Sequence, residues 1–389
     1  MTRVHIADNM CTPYKLQLKR FHDFFAANGW TVVETPEEAD LVLVGTCAGF
    51  DRLEEESLAS LRTMHGHGKR VVAYGCMTRF DPERVAAVHD GPCIPTNEGW
   101  RVAELIPNPA VPLADIPAPS TFRRKADYRL FDLTKRYVSI TNGCGFECSY
   151  CPHRVGVGKL QSRPLDEIVE QVQALVAEGA RTVVLTGLET GGYGTDRGDT
   201  YPELLARVLE ADPSMEVHVA QFSPTYVMEY GDALLELFSN PRVSDIQIPI
   251  ETTSDRLLDL MGRTPRVTEI EPFLLRLRAS APRTILRTDL MPGFPTETDE
   301  EVEHGAHFAA RLFDEVAVYG FEMKTGVPLD DMHLPRHPKE VIAARVERVV
   351  EIVSAAGRLA HRGAQAGTDD LFALEARKEE MRRSTATPA

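Results

Sequence analysis

The stretch from Tyr137 to Arg163, YVSITNGCGFECSYCPHRVGVGKLQSR, constrains this chain more than any other. A short apolar strand, Tyr137–Ile140, runs into a loop carrying Cys144, Cys148 and Cys151. A short, glycine-containing loop lets three thiolates converge. Thiolates in such a run hold zinc or iron–sulfur clusters, whose sites usually have four protein ligands. This run supplies three. In a four-iron cluster, one iron is then left without a protein ligand, open to a substrate or cofactor. The bland alternative is a zinc knuckle that takes His153 as its fourth ligand.

Composition narrows the setting. The chain has 389 residues, enough for two or three domains. Seven cysteines, an odd number, with no apolar leader in MTRVHIADNM read as thiolate ligands in a reducing compartment, not disulfides. A cytoplasmic location follows. No apolar run reaches the length of a bilayer, so no membrane partner is expected. The 43 Lys and Arg against 58 Asp and Glu give a net charge of -15, which argues against a general polyanion-binding surface and makes nucleic acid a less favoured partner.

Residues 1–103 alternate strand and helix patterns. Val4–Ala7, Thr31–Val33, Leu41–Val44 and Arg70–Tyr74 read as strands; Thr12–Ala27, Arg52–His65 and Pro82–Val88 read as helices. The alternation predicts a small, doubly wound α/β domain. Cys11, Cys47 and Cys76 each follow a strand, where parallel sheets place functional residues. They either meet at one sheet edge or are separate small core residues. Cys93, in GPCIP, reads as structural.

The two cysteine sets together resemble the radical S-adenosylmethionine (SAM) methylthiotransferases. CxxxCxxC resembles the radical SAM superfamily at large, and the wide triad Cys11, Cys47, Cys76 narrows the resemblance. The flanks differ from the usual family pattern: Gly45-Thr46-Cys47 stands for Asn-Thr-Cys, and Cys76-Met77-Thr78 lacks the Ala-Gln ending. The Gln-Met-Asn that usually follows the first cysteine is also missing. The resemblance implies two [4Fe–4S] clusters, a SAM cluster on Cys144, Cys148 and Cys151 and an auxiliary cluster on Cys11, Cys47 and Cys76. It implies SAM as cofactor, an external electron donor of flavodoxin or ferredoxin type, and a sulfur source.

Five prolines between Pro107 and Pro119 predict an extended linker over 104–136, followed by the basic residues Arg123, Arg124, Lys125, Arg129, Lys135 and Arg136. Residues 137–330 carry six βα-type units, too few for an eight-stranded barrel and suited to a partial (β/α)6 radical SAM barrel. Its strands are Tyr137–Ile140, Thr182–Leu185, Glu216–Ala220, Ile246–Ile250, Thr284–Leu290 and Val316–Tyr319. Its loops resemble those of the family, which implies cofactor contacts at Tyr150, Ser162, Arg163, Gly187, Glu189, Thr253, Ser254, Gly293 and Phe294. Arg163 is expected to grip a carboxylate. Glu251 stands where the family has an amide and is a candidate substrate contact.

Residues 331–389 read as a helical extension, with helices at Pro338–Ala355 and Leu371–Arg383 and a loose STATPA tail. The β-rich RNA-binding TRAM domain of the family is not expected here. The resulting expectation is an enzyme that forms a carbon–sulfur bond by sulfur insertion, exchange or methylthiolation. The charge and the altered flanks point to a small-molecule or nucleotide-like biosynthetic substrate. Three alternatives stand beside it: methylthiolation of tRNA or a ribosomal protein, an auxiliary cluster that binds substrate or transfers electrons, and a non-enzymatic iron–sulfur scaffold.

Overall fold

A computed structural model describes residues 1–66, 68–122 and 135–363. The chain divides into two compact units. One comprises Met1–Asp127, Asn142–Phe146 and Cys151–Gln161; the other comprises Tyr128–Thr141, Glu147–Tyr150 and Ser162–Ala389. The first unit therefore runs past the expected boundary at residue 103.

In the first unit, strands β1 (Arg3–Ala7), β2 (Thr31–Val33), β3 (Leu41–Thr46), β4 (Arg70–Gly75) and β5 (Cys93–Ile94) form one parallel sheet in the order β2-β1-β3-β4-β5. The central β3 is buried along its whole length, as its unbroken apolar run requires. Helices Thr12–Ala27 and Asp51–Gly66 pack against the sheet. The first buries Leu16, Leu18, Phe21, Phe24 and Phe25, the apolar face read from its periodicity. Strand β5 is an addition: Cys93 lies in a two-residue edge strand, too short for periodicity to reveal.

The proline-rich segment is not an extended connector over its described part. It follows a 3-10 stretch, Thr96–Leu105, makes a second, Leu113–Asp115, and buries Leu113 and Ile116 between its prolines, with Leu105, Ile106 and Phe122 buried at its flanks. Arg20 donates to Leu113 O at 3.1 Å and Ile116 O at 3.0 Å, and Asn28 exchanges two 2.9 Å hydrogen bonds with the Val111 backbone. Apolar residues between the prolines overrode the expectation, because burying them against the first unit outweighs solvation of an open strap. Arg123, Arg124, Lys125 and Arg129 lie outside the described residues, as do Leu371–Arg383 and the STATPA tail.

The second unit holds β6 (Lys135–Ser139), β9 (Thr182–Thr186), β10 (Glu216–Val219), β11 (Val243–Gln247), β12 (Ile285–Leu290), β13 (Glu315–Val318) and β14 (Leu359–Arg362). All pair in parallel, in the order β14-β13-β12-β11-β10-β9-β6. The short pair β7 (Thr141–Asn142) and β8 (Gln161–Ser162) flanks the CxxxCxxC loop. Helices Leu165–Ala177, Tyr201–Ala211, Pro224–Phe238, Asp255–Met261, Val267–Ser280, Asp299–Leu312 and Lys339–Ala355 lie between or after these strands. This is the partial barrel expected, with a seventh strand. β14 escaped the pattern because its four residues, LAHR, are half polar. The helix Val267–Ser280 also escaped it, since Pro272 interrupts its reading.

Charges of alternating sign bind neighbouring strands. Arg287 Nε donates to Asp245 Oδ1 at 2.5 Å, and His361 Nε2 lies 3.1 Å from Glu315 Oε1. Asp245 and Glu315 are buried, so these partners are required. Among the described residues, no helix is long and apolar enough to cross a membrane.

Candidate functional site

In the first unit, three strand ends place three thiols. Cys11 follows β1 and caps the helix Thr12–Ala27, its carbonyl accepting from Tyr14 N and Lys15 N at 3.0 Å. Cys47 follows β3; its N–H donates to Ser57 Oγ at 3.1 Å and its sulfur accepts from Gly49 N at 3.4 Å. Cys76 follows β4 and starts the turn Met77–Phe80, with its N–H on Thr46 O at 3.2 Å. Gly75 makes this approach possible: its φ is +140°, and any side chain there would run into Thr46.

The thiols feel one another. Burial pushes the Cys11 thiol up to about 12, and the charge of Cys47 adds to the rise. Burial likewise raises Cys76, followed by the charges of Cys11 and Cys47 and, more weakly, of Cys151. Tyr14 and Tyr74 sit in the same field, both raised by burial and then by Cys76 and Cys11. The buried Tyr74 hydroxyl has no hydrogen-bond partner among the described residues. The structure therefore brings Cys11, Cys47 and Cys76 into one neighbourhood, with Cys151 in electrical reach of Cys76. Cys93 is held apart, its thiol on Gly91 O at 3.8 Å.

Within this unit the helix His153–Val157 packs on Cys76. A Cβ on Gly156 would lie 2.9 Å from Cys76 Cβ and 3.0 Å from its carbonyl oxygen. Thr96 Oγ1 fixes the same helix through a 2.9 Å bond to Gly156 O. His153 Nδ1 stands 3.7 Å from Cys151 Sγ. Cys144 N donates to Gly158 O at 3.2 Å, which closes the loop on itself.

In the second unit, Cys148 lies beside Arg263. The guanidinium approaches Cys148 Sγ at 3.8 Å and Tyr150 OH at 3.5 Å, donates to Pro249 O at 3.0 Å and pairs with Glu251 at 3.5 Å. Burial opposes its charge, but Tyr150, Glu251 and Cys148 together raise its pKa. Glu251 adopts the left-handed region, φ +63°, between Asp289 O and Met291 N. Its charge, after burial, lifts Asp289 to about 7. Asp289 is held by Gln247 Nε2 at 3.0 and 3.1 Å.

Glu189 ends the loop after β9. It is 4% exposed, and its carboxylate accepts from Gly191 N and Gly192 N at 2.7 Å and from Ser223 N at 3.3 Å. Burial raises it to about 7 against the pull of those N–H groups and Arg263. Gly187 leaves room for Thr141 Oγ1, which donates to Glu189 O at 2.6 Å. Tyr150 meets the buried Phe294 edge-on at 6.3 Å. Gly293, φ +97°, donates to Glu297 at 2.5 Å.

Four expected contacts are engaged elsewhere. Ser254 donates to Glu301 Oε1 at 2.6 Å and caps the helix Asp255–Met261, and Thr253 Oγ1 meets His304 Nδ1 at 2.8 Å. Ser162 Oγ accepts from Gly194 N at 2.9 Å. Arg163, expected to grip a carboxylate, commits Nη1 to Ser139 O and Gln171 Oε1 at 2.8 Å. Local caps and turns supply nearer partners than a ligand would. Sequence reasoning gave no role to Arg263, Tyr14 or Gly156. Arg263 had a signal, an arginine closing the long matched run PIETTSDRLLDLMGR; the other two had none.

Among the described residues, no three His, Cys, Asp or Glu side chains stand close enough to hold a single metal ion. A four-iron cluster asks for something else, one thiolate per iron spread over the cluster. Three sheltered thiols in mutual electrical reach, with an N–H directed at sulfur, fit that demand. The polar strand ends of β9, β11 and β12, with Arg263 and the Tyr150–Phe294 pair, fit an amino-acid nucleoside.

Known proteins resemble both units. Residues 138–309 match the Radical SAM superfamily, and residues 3–92 match the Uncharacterized protein family UPF0004. A ribosomal protein uS12 methylthiotransferase of Fervidobacterium nodosum is 31% identical over 74% of this chain and 68% of its own length. A probable threonylcarbamoyladenosine tRNA methylthiotransferase of Archaeoglobus fulgidus is 28% identical over 77% of this chain and 71% of its own. In fold, the chain is similar to the radical SAM methyltransferase TsrM of Kitasatospora setae, with a TM-score of 0.61 at 15% identity over 85% of this chain and 75% of that one.

Proposed function

This chain belongs to the radical SAM methylthiotransferase family, and from that premise we propose that it forms a carbon–sulfur bond on a macromolecule of the translation apparatus. The relatives' names speak of tRNA and of ribosomal protein uS12, which supports this reading over the small-molecule substrate expected from sequence. Two relatives at 30% identity or more, from Fervidobacterium nodosum and Desulfotalea psychrophila, are both uS12 methylthiotransferases. The net charge of -15 fits a ribosomal protein, whose own RNA contacts demand basic side chains, better than it fits RNA. A ribosomal-protein substrate is therefore the favoured reading.

When bound, SAM and two [4Fe–4S] clusters supply a substrate radical and the sulfur that meets it. The chain's own part is placement. Cys144, Cys148 and Cys151 are assigned to the SAM cluster, and Cys11, Cys47 and Cys76 to the auxiliary one. Because burial raises Cys11 and Cys76, loading must expel their protons, and shelter then keeps water from the sulfurs. Arg263 holds a positive charge against Cys148, anchored by Glu251 and Pro249 O. Glu189 fixes the glycine-rich turn from within, so Gly191 and Gly192 present a rigid backbone at the end of β9. Tyr150 and Phe294 offer an aromatic wall to a nucleoside base. Electrons come from a flavodoxin- or ferredoxin-type donor.

The grouping of Cys11, Cys47 and Cys76 carries this reading. The test incubates the anaerobically reconstituted enzyme with SAM, a reductant, and either a ribosomal protein fraction or tRNA. The expected result is S-adenosylhomocysteine together with 5′-deoxyadenosine and a methylthio group on the protein. A methylthio group on tRNA alone moves the substrate to RNA, and 5′-deoxyadenosine without S-adenosylhomocysteine refutes methylthiolation.

A further inference from the structure

His153 has no part in the cluster assignment above, yet its ring stands near cysteines of both sets. Its helix, His153–Val157, begins directly after Pro152 and is pinned in the first unit by the Thr96 bond to Gly156 O and by the close pass of Gly156 over Cys76. The ring is therefore held in place. Nδ1 faces Cys151 Sγ at 3.7 Å. The opposite edge faces Gly49, where a built Cβ would lie 3.3 Å from Nε2 and 3.5 Å from Cε1. The same Cβ would lie 3.5 Å from Cys47 Sγ, so the imidazole edge and the Cys47 sulfur flank one glycine. Gly49 N in turn donates to that sulfur at 3.4 Å.

We propose that His153 is a positioning residue that ties the Cys151 sulfur to the Cys11, Cys47, Cys76 set, donating from Nδ1–H to Cys151 Sγ while its other edge seats the Gly49 backbone against Cys47. The inference rests on the two-cluster reading above. A ligating thiolate has no proton to give, so the nitrogen facing it must carry one. A hydrogen bond to a cluster sulfur stabilises the more negative, reduced state and so raises the reduction potential. His153 thus makes the Cys151 cluster easier to reduce, and a change at residue 153 is felt at Cys47 through Gly49.

The test is an EPR-monitored redox titration of the anaerobically reconstituted full chain carrying Cys11→Ala, Cys47→Ala and Cys76→Ala, which isolates the cluster on Cys144, Cys148 and Cys151. Into that background go His153→Leu, which removes the donor, and His153→Asn, whose amide restores one near Nδ1. The expected result is a midpoint moved negative by His153→Leu and returned toward the parent by His153→Asn, at equal iron content. Should the leucine variant lose iron, His153→Phe, a ring without a donor, takes its place in the comparison, with the same negative shift expected. An unmoved midpoint at full iron content, or equal shifts in both variants, overturns the role of His153 and leaves the two-cluster reading intact. A parent chain that takes up no iron overturns both.

Discussion

Gly156→Ala sets two effects against each other, and the structure decides between them. Gly156 lies within the helix His153–Val157 without a positive φ, so helix propensity alone favours alanine by about 1 kcal/mol. Packing opposes it. The added Cβ would lie 2.9 Å from Cys76 Cβ, 3.0 Å from its oxygen and 3.2 Å from its Cα, where carbon contacts settle at about 3.5–4.0 Å. None of these is the far end of a flexible side chain. Cys76 is anchored by its N–H on Thr46 O at 3.2 Å, and the helix by Thr96 at 2.9 Å, so neither side can yield freely. Overpacking of this kind costs about 1–3 kcal/mol. The net loss is up to about 2 kcal/mol, and it falls on a sulfur assigned to the auxiliary set. Urea unfolding of the reduced apoprotein should show that loss, and iron uptake after reconstitution should fall below that of the parent. Gly66→Ala is the control: it closes the helix Asp51–Gly66 with nothing within 4 Å of its built Cβ. Its stability should hold or rise. A Gly156→Ala protein as stable as its parent and with full iron content would refute the packing of this helix on Cys76.

Further outcomes follow from the second unit. Glu189 is raised from 4.5 to about 7, so its contribution to stability is fully present below the unfolded value and is lost as pH rises through about 7. That shift corresponds to about 3 kcal/mol, and Glu189→Gln, which cannot titrate, should flatten the urea-midpoint profile between about pH 4.5 and 7; an unchanged slope contradicts the burial argument. Arg263→Met leaves Glu251 and Pro249 O without their partner and should cost about 3–5 kcal/mol by denaturation. Glu251→Gln removes the charge but keeps an acceptor for Arg263 and should cost no more than about 1 kcal/mol, so equal losses in the two variants would count against hydrogen bonding at Pro249 O as the anchor and place it in the charge of Glu251.

The sequence was most legible where one residue type carries both local and global meaning. Leu41–Val44 reads as a buried strand, and Cys47, three residues on, stands at that strand's carboxyl end. The partial barrel followed from the same strand-and-helix alternation. What stayed hidden depends on distant partners. Gly156 matters because Cys76, eighty positions away in the chain, passes against it. Tyr14 drew no reading from its sequence, and only the fold buries it within reach of the charges of Cys76 and Cys11. Ser254 and Thr253 read as ligand contacts, but Glu301 and His304, from the helix Asp299–Leu312, reach them first. The prolines at 107–119 signalled an open strap, and the apolar residues between them settled against the first unit instead. β14 lacks alternation because its neighbour in the sheet, not its own sequence, makes it a strand.

The most direct test of the account counts iron and sulfide in the anaerobically reconstituted chain, with and without Cys11→Ala, Cys47→Ala and Cys76→Ala. Two four-iron clusters predict about eight irons in the parent and about four in the triple variant, which should still cleave SAM without transferring sulfur. Four irons in the parent, unchanged by the three substitutions, would contradict the grouping of Cys11, Cys47 and Cys76 around a cluster.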